Sequence, residues 1–197
     1  MNSYSDKFLG RYRIESHRMK GYDYASAGAY FLTVCTHKRQ PLFGEIVRGK
    51  MRRNPCGQIV WDEWFHSAEI RAEIGLDAFV VMPDHIHGIV FVQPRLVDAS
   101  GRLILQDEPP PSDATPSSLE RPCGPPPKSI GAFMAGFKSA ATTAINQVRQ
   151  SPGAPVWQRN YHDRIVRDLA HINRIRFYIA NNPRKWTAKH DPTGNVE

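Results

Sequence analysis

Hydrophobic and polar positions change rhythm several times along this chain, and each rhythm predicts an element. Tyr30-Phe-Leu-Thr-Val-Cys-Thr36 is rich in aromatic and β-branched residues and reads as a strand. Glu45 to Val47 and Met51 to Arg53 flank Gly49 as the arms of a hairpin. Ile59, Val60, Trp64, Phe65 and Ile70 recur on one face of a short helix that Gly75 is expected to stop. Leu76 to Met82 then forms a strand, Pro83-Asp84 turns the chain, and His85 to Val92 returns as another. Ser129 can cap a helix in which Ile130, Phe133, Phe137, Ala141, Ala144, Ile145 and Val148 keep three-and-four spacing. Pro155 to Val166 is expected as a further strand, and Asp168 caps a last helix from Leu169 to Asn182, which Pro183 is expected to end. With the accessory hairpin and the last helix set aside, the order is βαββαβ. That is an α+β plan, a ferredoxin-like or RRM-like antiparallel sheet with helices on one face and the other face free to hold a site.

The stretch from about 94 to 128 breaks these rhythms. It holds nine of the 16 prolines, in EPPPSDATPSS and RPCGPPP, and its apolar residues are too few and too irregular to build a core. The expectation is therefore one domain over 1–197 that carries this stretch as a proline-rich insertion. Lysine and arginine number 26 against 19 aspartate and glutamate, a net charge of +7 that suits a polyanionic partner. No run approaches the ~20 apolar residues of a membrane span. The N-terminal MNSYSDKFLGRYRIESHRMKG is basic without the apolar stretch of an export signal, so a cytoplasmic location is expected. Within it, GRYRIESHRMKG reads equally as an arm that reaches bases or as a basic tail. Cys35, Cys56 and Cys123 are far apart and lack any CxxC pairing, against both a disulfide framework and a thiolate zinc site.

Two clusters carry candidate chemistry. In Met82-Pro-Asp-His85-Ile86-His87-Gly88, histidines two apart on a strand share a face, about 7 Å from each other along the chain, with Ile86 turned to the opposite side. Two neutral imidazoles there can share one cation, although two surface or capped histidines would leave the same pattern. On the last helix, His171, Arg174, Tyr178 and Asn182 fall in one stripe beside the apolar positions Leu169, Ile172, Ile175 and Ile179. Tyr178 is then either an amphipathic rim residue or a reactive phenol one turn before Asn182.

The two clusters together resemble the single-tyrosine HUH transposases of the IS200-like superfamily, and within it the REP-associated tyrosine transposase branch. GAYFLTVCTHKRQPLFGEI, FVVMPDHIHGIV, GAFMAGFKSAATTAIN and VWQRNYHDRIVRD support the resemblance in the family's order, from about Tyr12 to Trp186. It implies that His85 and His87 bind a divalent metal, Mg²⁺ or Mn²⁺, that Tyr178 is the nucleophile, and that Asn182 completes the metal shell where related insertion-sequence enzymes carry glutamine. Many relatives have histidine at the position of Arg164. The implied activity is a nuclease and strand transferase that forms a 5′-phosphotyrosine on single-stranded or hairpin DNA, at the nucleoid. Lys138, Arg159, Arg174 and Arg39 are the expected phosphate contacts, and monomer and homodimer both stay open. Tyr161, in a basic stretch with Arg159 and His162, is the competing nucleophile. A noncatalytic single-strand binder on an RRM-like sheet is the rival reading. It would place aromatic residues on the strand that instead carries His85 and His87.

Overall fold

The computed structural model describes residues 7–8, 11–12, 27–92 and 125–190, with side chains at 27–92 and 125–186. The bulk of the proline-rich insertion, the basic N-terminal segment apart from residues 7–8 and 11–12, and Cys123 lie outside the described residues. Chain order is β1 (Lys7–Phe8), β2 (Arg11–Tyr12), β3 (Gly28–Cys35), β4 (Gly44–Val47), β5 (Lys50–Arg53), α1 (Pro55–Glu69), β6 (Ile74–Val81), β7 (His85–Val92), α2 (Ile130–Val148), β8 (His162–Val166) and α3 (Leu169–His190). β6, β7, β3 and β8 form, in that spatial order, one four-stranded sheet in which every pairing is antiparallel. The fold is α+β, and from β3 onward the elements follow the expected order, while the β1–β2 pair was not expected.

Period-two alternation divides the sheet into two faces. Tyr30, Leu32 and Val34 of β3 and Ile86 and Val90 of β7 point to one side, where Val60 and Trp64 of α1 and Phe133, Phe137 and Ile145 of α2 complete a water-free core. Burying each such large apolar side chain contributes about 1.5–3 kcal/mol relative to exposure. Ala29 of β3, Ile89 of β7 and Val166 of β8 point to the other side and pack with Ile175 and Ile179 of α3. α3 thus lies across the face that the sequence left free. A two-pronged ion pair between Arg176 of α3 and Asp77 of β6, at 3.0 and 3.1 Å from Nε, fastens it there.

Caps explain where the helices start. Asn54 accepts from Gly57 N at 2.9 Å and puts Pro55 at the first helical position, where a missing N–H costs nothing. Ser129 accepts from Ala132 N at 3.1 Å, and Asp168 from His171 N at 2.7 Å.

Three expectations need correction. α1 ends at Glu69, so Ile70 is exposed and Gly75 lies inside β6 rather than terminating the helix. The strand expected over Pro155 to Val166 is regular only from His162. Upstream of it the backbone still bonds the end of β3, Gln158 N to Cys35 O at 2.9 Å and His37 N to Val156 O at 2.8 Å around a single Thr36–Trp157 bridge, but this register is offset by two residues from that of β8, so the ladder is interrupted between them. Finally, α3 runs through Pro183 to His190. A proline inside a helix costs about 3 kcal/mol. Contacts made by the turn after it offset that cost: Arg184 packs against Gly49 at the hairpin tip, and the Trp186 ring lies 5.6 Å from that of His85.

Candidate active site

The site is assembled from β3, β7, the turn before β7, and α3. His85 and His87 alternate with the core residue Ile86 on the central strand, so both rings are buried under α3. Each ring is held by its Nδ1 edge. Asp84 faces Nδ1 of His85 at 2.5 Å, and since a carboxylate only accepts, this nitrogen is the donor. Thr33, directly opposite His87 in the β3–β7 register, places Oγ1 2.8 Å from its Nδ1, and Phe31 stacks on the ring with centroids 5.4 Å apart. The two Nε2 atoms then converge to 3.1 Å. Tyr178 enters from α3 with Oη 3.2 Å from His87 Nε2, its ring edge-on to Phe31 and to His87.

The electrostatics follow from burial. His87 is pushed down to about 3, first by loss of water and then by the neighbouring His85, so it is a neutral ring at pH 7. Burial alone would raise the Asp84 carboxyl. The hydrogen bond and charge of His85, with Arg39 at 3.6 Å, outweigh it and hold the group below its ordinary value.

This donor set fits a small divalent cation. Two ligand atoms each about 2.1 Å from one ion at a right angle are roughly 3.0 Å apart, close to the observed Nε2 separation. Asp84 fixes His85 as the Nδ1–H tautomer with its Nε2 lone pair free, and Thr33, whose hydroxyl can accept, allows His87 the same tautomer, so that both Nε2 lone pairs are available to one cation. Among the described residues no group of three His, Cys, Asp or Glu side chains converges, so an ion here would complete its shell with neutral or phosphate oxygens. Asn182, buried one turn after Tyr178 on α3, is on the side of the helix from which such an oxygen can come.

The structure thus brings His85, His87 and Tyr178 together and puts Asn182 one turn away. Arg174 is exposed on α3 one turn before Tyr178, and Arg39 is at the Asp84 edge of the site. Lys138 and Arg159 lie in the other layer, where the half-buried Lys138 ammonium donates to the carbonyls of Gln158 and Arg159 at 2.7 and 3.1 Å. Burial lowers the Lys138 pKa. Tyr161 packs against the α1–α2 core. Thr33 and Phe31 escaped the sequence reading. Their positions opposite and beside His87 become visible only when the β3–β7 register is known.

No protein-family model matches the chain. An uncharacterized protein of Haemophilus influenzae is 33% identical over 177 residues, which cover 90% of this chain and 92% of that protein. The structure of a REP-associated tyrosine transposase bound to a REP hairpin is similar with a TM-score of 0.51 and 16% identity, over 87% of this chain and 74% of the other. Among the described residues no helix is long and apolar enough to cross a membrane. The chain belongs to one family with the Haemophilus influenzae protein, and it shares its fold with the REP-associated tyrosine transposase.

Proposed function

We propose that this protein is a metal-assisted tyrosine nuclease and strand transferase of single-stranded DNA, acting beside hairpins or palindromic repeats. The observation that carries the reading is the meeting of Tyr178 Oη with a pair of converging imidazole nitrogens, 3.2 Å from His87 Nε2 and with 3.1 Å between the two Nε2 atoms. The fold shared with a transposase bound to a REP hairpin supports the choice of DNA as substrate. A purely binding role on an open sheet has no support, because α3 covers the face on which bases would stack.

A phenol with an ordinary pKa near 10 is a weak nucleophile at neutral pH. His85, His87 and Asn182 would hold Mg²⁺ or Mn²⁺, which when bound polarises a phosphate oxygen and lowers the barrier to attack. Asp84 and Thr33 fix the imidazoles by their Nδ1 edges, which keeps both Nε2 atoms aimed at the site. Burial keeps His87 neutral and able to act as a ligand. Tyr178 is oriented by His87 and by Phe31, with the Lys185 ammonium 5.7 Å from its ring. The Oη–P bond forms as the P–O3′ bond breaks, and the phenolic proton ends on the released 3′-oxygen. The product is a 5′-phosphotyrosine that retains the energy of the diester, so the reverse reaction joins strands without a nucleoside triphosphate.

Incubation with Mn²⁺ and hairpin-bearing oligonucleotides tests this. A denaturant-resistant protein–DNA adduct is expected from the wild type and from Tyr161→Phe, and none from Tyr178→Phe. The reverse pattern would move the nucleophile to Tyr161.

A further inference from the structure

We propose that the outward side of the β4–β5 hairpin, with Arg48, Lys50 and Arg52 and with Arg184 of α3 at its tip, docks the sugar–phosphate backbone of duplex DNA, separately from the single-strand site at Tyr178. The inference deepens the DNA-cleavage reading and rests on it for the identity of the polyanion.

Among the described residues the hairpin is a two-stranded ribbon that pairs with no other strand. Its inner side is occupied by the fold: Met51 packs against the main core, and the Arg53 guanidinium lies 4.2 Å from the centre of the Trp61 ring. Alternation then turns Lys50 and Arg52 outward, both exposed, with exposed Arg48 at the turn. Nothing in the described fold uses these cations. Among the described residues neither Arg48 nor Lys50 makes an ion pair, and Arg52 reaches Glu45 only at 3.9 Å with both side chains largely in water, a contact worth little.

Placement adds a second argument. Gly49 has φ +71, and a Cβ there would be 3.2 Å from Cγ of Arg184, so the tip rests directly on α3 after Pro183. Six residues of helix separate Tyr178 from Arg184, roughly 9 Å along the axis. A duplex lying on the ribbon therefore delivers its unpaired continuation to the catalytic helix.

Chemistry selects duplex over single strand. Proteins that hold unpaired strands stack bases on aromatic rings, and the rings here belong to the site: Phe31, Tyr178 and Trp186. The ribbon exposes cations and one carboxylate, with no aromatic residue in either strand. Such a surface contacts phosphates without reading bases. Lys50 and Arg52, about 6.7 Å apart on one strand side, suit successive phosphates of one DNA strand.

The test measures binding by fluorescence anisotropy across a salt series, with a tail-free stem-loop and with an unpaired oligonucleotide. In the triple variant Arg48→Asn, Lys50→Gln, Arg52→Gln, asparagine suits position 48, where φ is +50. Its affinity for the stem-loop should fall about ten-fold or more relative to that for the unpaired strand, and the slope of log K against log salt should become shallower by about 2–3, at ~0.9 per lost phosphate contact. The charge-preserving variant Lys50→Arg, Arg52→Lys should keep the wild-type slope. An unchanged stem-loop slope in the triple variant, or equal losses on both ligands, overturns the docking surface. If the stem-loop slope falls as expected while no Tyr178 adduct ever forms, the docking surface stands and the cleavage reading fails.

Discussion

His87 sits out of water, beside a second imidazole, with one nitrogen tied to Thr33 and the other aimed at Tyr178. Its folded pKa of about 3 lies below the unfolded value near 6.5. Between these values the unfolded chain binds a proton that the folded chain refuses, so the stability that this neutral histidine contributes is present above pH 6.5 and is lost as pH falls toward 3. Urea denaturation of the metal-free protein at pH 7 and pH 5 should show lower stability at pH 5, with a slope approaching about 1.4 kcal/mol per pH unit. His87→Gln should flatten that dependence, and equal slopes in the two proteins would contradict the assignment. At this scale the sequence announced the reactive groups but, of their supports, only Asp84 as a candidate partner of His85. The spacing of His85 and His87 and the one-turn spacing of Tyr178 and Asn182 are local, fixed by the periods of a strand and a helix. Thr33 lies 54 residues from His87 and touches it only through strand register. Asp84 reads equally well as a turn residue until its carboxylate is seen on His85.

At the scale of elements, the strand that carries the site is kept close to α1 by a glycine. Gly88 follows His87 and faces the helical layer, where a Cβ would lie 2.5 Å from Trp64 Cζ2 and 2.9 Å from Cη2. Trp64 is itself stacked on Phe79 at 4.4 Å, and β7 is bonded on both sides, so neither can yield easily. Gly88→Ala should therefore destabilise the fold by roughly 1–3 kcal/mol in denaturant titration. A wild-type midpoint would show that the layers are looser than described. The elements themselves were legible where the cue is local, as with Ser129 and Asp168 as caps, Gly49 in the hairpin turn and Pro83-Asp84 before β7. They were misread where distant contacts decide. Residues 155–161 have strand-forming composition, but the stretch that bonds the end of β3 does so two residues out of register with β8, which breaks the strand, and α3 passes Pro183 because Arg184 and Trp186 find partners on the hairpin and at His85.

Across the whole molecule, α3 folds back over its own sheet through Ile175, Ile179 and the Arg176–Asp77 pair, so Tyr178 and the imidazoles meet within one chain. Mixing equal amounts of Tyr178→Phe and His87→Ala should accordingly restore no cleavage, whereas recovered activity would mean that the helix is exchanged between two copies. The central claim is tested most directly by peptide mapping after reaction with Mn²⁺ and a hairpin-bearing oligonucleotide. The account predicts a nucleotide remnant joined through its 5′-phosphate to the peptide containing Tyr178. A remnant on the Tyr161 peptide, or strand cleavage that leaves every tyrosine unmodified, would contradict it.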